Sequence, residues 1–462
     1  MTALPSTSRL AAHLGVLEHQ LLERQTTTRL LLLAALAGEH VLLIGPPGTA
    51  KSELARRLHR AFDGARYFER LLTRFSTPEE LFGPLSLKAL EADRYERLID
   101  GYLPTAGIAF LDEVFKANSA ILNALLTLLN EREFDNGAGR LRVPLVSVIG
   151  ASNEAPADES LLAFHDRFLL RVPVSPVSDA SFAALLTLGD APLAAGPSPI
   201  TAAERQAIAA QRDAVALSDE ALQALSALRA LVAQREWPVS DRRWRQLVAL
   251  LRCAAASEGR HTIDALDLWL APYVLGPDAE AVPQVSAWVA EHLAQAVPQD
   301  ATWLTRAVEA FEKQLEIERQ LPAQDGEGDD SAGKLALART LSGNNEDGGM
   351  TRLLSTVLED KMRRRFSPVH LAARLAQVDE VIERVATACA PVQAALDALQ
   401  ARLAGRLWLP PELASAWLGA HRHTLGVLDA LQARLQHTRA GFAALPADEQ
   451  APAITPPAPA FQ

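Results

Sequence analysis

The chain has 462 residues and 49% apolar content, enough for roughly two to four domains with full cores. Its formal net charge of −11 argues against a general nucleic-acid-binding surface and leaves room only for a local basic pore. The two cysteines, Cys253 and Cys389, lie in apolar helical sequence; they exclude a disulfide framework, and no Cys/His cluster has the spacing of a zinc site.

Residues 9–38 carry apolar positions at helical spacing and predict one or two helices. The start of the chain lacks the pattern of a signal peptide. Its most apolar stretch, Leu30–Leu36, follows Arg29 directly and is far too short to cross a bilayer. No transmembrane segment and a cytoplasmic location are therefore expected.

Val41-Leu42-Leu43-Ile44 is an apolar run of the kind that forms a buried parallel strand. Gly45-Pro46-Pro47-Gly48-Thr49-Ala50-Lys51-Ser52 comes next as a tight turn, with a helix expected to begin near Lys51. A strand, a glycine-rich loop and a helix start in this order make a phosphate-binding loop. Backbone N–H groups of the loop and helix start would surround phosphates. Lys51 would reach the β- and γ-phosphates of a nucleotide, and Ser52 would place its hydroxyl on Mg²⁺. The second glycine of the usual pattern is Ala50 here. A methyl group at that position requires either a negative φ or acceptance of modest strain.

Ile108–Asp112 is a second apolar strand, ending in the adjacent carboxylates Asp112 and Glu113. Asp112 suits the magnesium-holding position, and Glu113 suits a general base that polarises the attacking water. Val146–Ser152 is a third strand of the same type, ending in Asn153. That amide either orients the water or is a simple turn residue. Strands and helices alternate to about residue 176, which predicts a three-layer α/β domain around a parallel sheet. Two interruptions, residues 84–103 and 133–146, each place short apolar runs around a polar turn and predict hairpins. In the second, Asn136-Gly137 is a strong turn signal.

Residues 188–200 are a Pro/Gly linker. Thr201-Ala-Ala-Glu204 has capping-box spacing, Ser218 marks another helix start, and residues 201–315 are expected as an all-α lid. Its tryptophans lack the basic interleaving of a base-stacking platform and are expected to be packing anchors. Residues 316–349 become an acidic, glycine-rich flexible linker. Residues 350–440 return to heptad-like apolar spacing from Leu371 to Leu403, and Pro410-Pro411 breaks it before a further helix; a C-terminal helical hairpin or bundle is expected. Residues 441–462 are Pro/Ala-rich and predict a disordered tail.

The loop Gly45–Ser52, the Phe110-Leu-Asp112-Glu113 strand end and Ala151-Ser-Asn153-Glu154, in this order and spacing, resemble the AAA+ ATPases. Ala50 in the loop resembles their MoxR branch. Arg74–Pro84 and Arg94–Pro104 resemble its RavA-type members more closely still, over roughly residues 9–310. The resemblance implies an α/β P-loop NTPase core over 1–190, then the helical lid and a C-terminal helical domain. It implies Arg167, in Phe164-His-Asp-Arg167-Phe168, as the arginine finger that completes a neighbouring subunit's site, with Arg171 one helical turn on as the fallback. It implies Arg242, in preference to Arg243, as the sensor-2 arginine of the lid. The activity implied is Mg²⁺-dependent ATP hydrolysis in a homo-oligomeric ring, expected to be a hexamer. The ring would act as a chaperone or remodelling factor on a protein client, together with a von Willebrand A-domain partner. In this family the two hairpin insertions project toward the ring pore. RavA-type members carry a β-rich module between their helical segments, and here only the acidic linker occupies that place. A DNA-acting AAA+ motor and a nucleotide-gated scaffold with little turnover are the rival readings.

Overall fold

The computed structural model describes residues 4–137, 139–154, 156, 158, 161–189, 196–293, 301–321 and 364–460. The chain divides into two compact units: residues up to 294 together with Arg402–Ala416, and residues 295–401 together with 417–462.

The first unit opens with α1 (Thr7–Glu18) and α2 (Gln25–Ala37), followed by β1 (Val41–Ile44) and α3 (Lys51–Leu58). Next come β2 (Tyr67–Leu71), the short α4 (Pro78–Phe82) and α5 (Leu87–Leu90), β3 (Ile108–Asp112) and α6 (Ser119–Glu131). The hairpin β4 (Glu133–Asn136) and β5 (Gly139–Arg142) leads into β6 (Ser147–Ser152), α7 (Leu162–His165), β7 (Leu170–Pro173) and α8 (Asp179–Leu186). Five strands form one sheet in the order β2-β3-β6-β1-β7, and every pair is parallel. Every residue of β1 and β6 is buried, which is why neither alternates: β1 is apolar throughout, and β6 is small or apolar, its end serines donating to the Glu39 and Glu154 carbonyls. One face of the sheet, with Leu42, Ile44, Ala109, Leu111 and Val148, shares a core with Ile121, Leu125 and Leu128 of α6. The buried faces of α2 and α3 contact β7 and β3 and supply the other layer. Because the strands are parallel and in register, their carboxyl ends all lie along one edge.

His40, just ahead of β1, is buried at the amino edge of this sheet. Its Nδ1 accepts the Val148 N–H at 3.0 Å, and its Nε2 lies 3.2 Å from the Leu129 carbonyl oxygen. Burial, with the Arg132 charge nearby, pushes its pKa down to about 3. The folded ring therefore stays neutral where the unfolded one binds a proton. This costs no stability above pH 6.5 and destabilises the fold progressively as pH falls from about 6.5 toward 3, by about 1.4 kcal/mol per unit. Denaturant unfolding at pH 7 and pH 5 is expected to show a smaller acid loss for His40→Gln than for the wild type; equal losses would remove His40 from the acid response.

The hairpin predicted over 133–146 is present as the antiparallel pair β4–β5, with Gly137 at φ +72 in its turn. The one predicted over 84–103 forms only at its base, where Ser86 N–H donates to the Glu96 carbonyl and Leu98 N–H to that of Pro84. Its tip coils into α5, because Ser86 caps the helix start and Leu-Lys-Ala-Leu favours a helical turn over a strand. The two insertions are joined: Asn136 accepts from the Arg97 N–H at 2.7 Å and donates to the Arg97 carbonyl at 3.3 Å.

The lid consists of α9 (Ala202–Arg212), α10 (Asp219–Gln234), α11 (Asp241–Ser257), α12 (Ala271–Leu275) and α13 (Ala281–Leu293), with the small parallel pair β8 (Ala216–Leu217) and β9 (Thr262–Ile263). The capping box expected at Thr201 and Glu204 forms, and Ser218 caps α10.

In the second unit, α14 (Ala301–Gln320), α15 (Pro368–Leu403) and α16 (Pro411–Ala443) share a core. The lid was expected to run to 315, but Leu304, Val308, Phe311 and Leu315 of α14 pack with Val378, Val385, Leu428 and Leu435 instead. The first residues of the expected linker complete α14, and residues 322–349 lie outside the described residues. The composition predicts disorder from 441 on. Through Ala460 the chain instead lies along α15: Phe366 exchanges backbone hydrogen bonds with Pro446 and Asp448, while Gln377 and Arg374 donate to the Pro456 and Pro457 carbonyls. Prolines cannot donate, but their carbonyls accept, so a proline-rich segment docks through side-chain donors of its neighbour. Among the described residues no strand follows β9, and no helix is long and apolar enough to cross a membrane.

Candidate functional site

The carboxyl edge of the sheet carries the loop Gly45–Ala50. At Gly45 the chain runs so close to β7 that a Cβ would lie 2.0 Å from the Val174 carbonyl oxygen. Gly48 has φ +81 and Ala50 has φ +65, ψ 24, so Ala50 occupies the left-handed region and the second of its two alternatives holds. The loop is braced from within: Thr49 Oγ1 donates to the Pro46 carbonyl at 3.0 Å, and Lys51 Nζ donates to the Gly45 and Pro46 carbonyls at 2.7 and 2.8 Å. Lys51 is buried. Desolvation holds its ammonium below the usual lysine range, against the opposing pull of Asp112 and Glu113. Helix α3 starts directly at Lys51, and the N–H groups of its first turn have no intrahelical acceptor. This is an anion-binding arrangement.

Asp112 ends β3, two strands from β1 across β6, and its Oδ1 accepts the Glu113 N–H at 3.0 Å. Glu113 has φ +50, which turns its side chain out of the strand direction. Its Oε1 accepts from Asn153 Nδ2 at 2.7 Å and its Oε2 lies 3.2 Å from Lys116 Nζ. Asn153, at the end of β6, thus faces Glu113 directly. Among the described residues no group of three His, Cys, Asp or Glu side chains could hold a metal. One hydroxyl and one carboxylate, Ser52 and Asp112, suit Mg²⁺, which keeps several waters and takes its other oxygens from phosphates.

The arginines lie elsewhere. Arg167 follows α7 and precedes β7, at the amino edge of the sheet, and it is half-buried with an Nε that has no partner among the described residues. Arg171 is not a helical turn beyond it. It sits in β7, paired with Leu42, because the chain straightens at Leu170 to join the sheet. Its guanidinium is buried and donates to the Gly276 and Pro277 carbonyls of the lid. Desolvation and the neighbouring Arg243 push its pKa down to about 9. Arg243 is the member of its pair that packs: it bonds Asp166 Oδ1 at 2.9 Å, the Phe168 and Leu169 carbonyls at 3.1 and 2.8 Å, and the Val274 carbonyl. Arg242 is exposed, and its charge acts on Glu39, just ahead of β1.

A family model described as the MoxR domain in the MoxR-vWA-beta-propeller ternary systems matches residues 8–209, and one for an AAA lid domain matches residues 220–289. Two uncharacterized proteins of Methanocaldococcus jannaschii, MJ0079 and MJ0812, are 40% and 41% identical over 266 and 275 residues, each 57% of this chain and 69% and 70% of theirs. Protein MoxR of Paracoccus denitrificans is 31% identical over 155 residues, 32% of this chain and 44% of its own. The chain belongs to the MoxR family of AAA+ ATPases. A crystal structure from Cytophaga hutchinsonii, whose name assigns it provisionally to the ATPases, shares the fold at TM-score 0.50 and 16% identity, covering 62% of this chain and 94% of that one.

In this MoxR-family chain the carboxyl edge brings Lys51, Asp112, Glu113 and Asn153 together, and the amino edge holds Arg167, Arg171 and Arg243. One residue of the carboxyl edge escaped the sequence reasoning. Arg24, between the first two helices, is buried against the loop and donates from Nε to the Thr49 carbonyl at 3.2 Å. Nothing around it in sequence marks it, since its partners are carbonyls, which every residue has.

Proposed function

We propose that this chain hydrolyses Mg²⁺-ATP at sites shared between subunits of a ring, expected to be a hexamer. Lys51 and the N–H groups of Gly45–Ser52 would hold the phosphates, and Ser52 and Asp112 would hold Mg²⁺, whose charge neutralises phosphate oxygens. Glu113 would take a proton from the attacking water, and Asn153 would orient that water and Glu113 together. The observation that carries this reading is the separation of charges. Lys51, Asp112, Glu113 and Asn153 converge at one edge of the sheet, while Arg167 and Arg242 lie toward the other. Arg24, at the carboxyl edge, is engaged by the Thr49, Glu23 and Ser175 carbonyls, so in that arrangement an arginine for the transferred phosphate would come from a neighbouring chain. Arg167 would supply it, a planar cation that cannot lose its charge, and Arg242, on the same side as Arg167, would add charge from the neighbouring chain's lid.

Arg243 grips the segment around Arg167 from α11, so movement of the lid would shift Arg167 against the next subunit's site. A ring that couples turnover to lid movement suits a chaperone or remodelling factor acting on a protein client in the cytoplasm. The description of the matching family model supports a von Willebrand A-domain protein as partner. Turnover per chain is expected to rise with protein concentration, in step with ATP-dependent assembly seen by light scattering. Turnover that stays constant on dilution to monomer would overturn the shared site.

A further inference from the structure

Ala50 is the exposed weakness of the phosphate-binding loop. A side chain in the left-handed region crowds the following carbonyl, and only glycine escapes that cost. Ala50 nevertheless caps α3 there, with no side-chain hydrogen bond of its own to hold it. The peptide ahead of it is held from outside. Arg24 donates to the Thr49 carbonyl, to the Ser175 carbonyl at 2.7 Å and to the Glu23 carbonyl at 2.9 Å. Residue Arg24 is 6% exposed. It is anchored by α2, since its own carbonyl accepts the Thr28 hydroxyl at 2.8 Å. Ser175 directly follows Val174, whose carbonyl closes on Gly45. One planar guanidinium therefore spans the far end of the loop at Thr49 and the strand exit that packs on the loop's first residue.

We infer that Arg24 is a positioning residue for the phosphate-binding loop: its hold on the Thr49 and Ser175 carbonyls keeps Ala50 in the left-handed conformation that starts α3 at Lys51. The inference rests on the nucleotide site proposed above. A lysine offers one compact ammonium and cannot span both carbonyls with a rigid fork. The loop's need for Arg24 comes from the methyl of Ala50, so removing that methyl weakens the need.

The test is a double-mutant cycle on the full chain, with Mg²⁺-ATP affinity, kcat, KM and thermal unfolding measured for each protein. Arg24→Met is expected to weaken Mg²⁺-ATP binding by about ten-fold or more. In the Ala50→Gly background the same replacement is expected to cost only about three-fold. The loss is expected in KM more than in kcat. Arg24→Lys, which keeps the charge, is expected to fall between, and hydrogen exchange of the Thr49–Ser52 amides without nucleotide is expected to quicken in it. That readout stands even where Arg24→Met does not fold. A folded Arg24→Met that binds as the wild type does, an equal loss in both backgrounds, or unchanged loop exchange in Arg24→Lys would each overturn the inference and leave the ATPase reading intact. A wild type that binds no Mg²⁺-ATP would overturn both.

Discussion

Glu113→Gln is expected to bind Mg²⁺-ATP and to turn it over about 10²–10⁴-fold more slowly than the wild type. Glutamine has nearly the same shape, so its amide oxygen can still accept from Asn153, which now donates to Glu113 at 2.7 Å. What it lacks is a lone pair basic enough to take a proton from water. The left-handed turn at Glu113 and the bond from its own N–H to Asp112 hold the side chain at the strand end whether or not it is charged, so the loss reports chemistry rather than folding. Binding is read by equilibrium titration and turnover by phosphate release. Equal turnover in variant and wild type would take Glu113 out of the mechanism.

The second large effect is expected at Lys51. Lys51→Ala removes a buried ammonium that bonds the Gly45 and Pro46 carbonyls. It also removes the cation nearest to where phosphates would sit. A charge-assisted contact to phosphate in a partly desolvated site is strong, and its loss is expected to weaken ATP binding by about 100-fold or more. Leu54, Ala55 and Leu58 keep α3 packed whatever stands at position 51. The variant should therefore unfold cooperatively near the wild-type temperature, and a thermal melt separates lost binding from lost fold. ATP binding as tight as the wild type's would remove Lys51 from the site.

Much of the carboxyl edge is legible in the chain because its signals are local. An unbroken apolar run such as Val41–Ile44 or Ile108–Leu111 marks a strand buried on both faces, and the residues just past such strands emerge at one edge of a parallel sheet. Glycines before Lys51, acids after Leu111 and an amide after Ser152 announce that edge residue by residue. Local competition explains the partial miss at 84–103, where a serine cap and helix-forming residues coil the tip that the apolar spacing assigns to a strand.

Arg171 shows where such reasoning stops. Its spacing from Arg167 fits a helix turn, but pairing with Leu42 draws it into β7, and burial then turns it toward the lid carbonyls. Similarly, the apolar stripe of α14 states that one face is buried without naming its partner, which proves to be α15 and α16 rather than the lid. The proline-rich end has no periodicity of its own, and its order comes from Gln377 and Arg374.

By itself, then, the sequence determined the P-loop core, the residues at the ends of its strands and the family. Each of these depends on neighbours a few positions apart, through strand burial, turn chemistry and helix capping. Only the tertiary structure decided which arginines are held inside and by what. Arg24 meets partners 25 and 151 positions away, and Arg243 meets one 77 positions away. A buried guanidinium needs acceptors, and most of those it finds here are backbone carbonyls that any residue could provide. No residue type signals such a contact in advance; the packing of the sheet, α2 and the lid creates it.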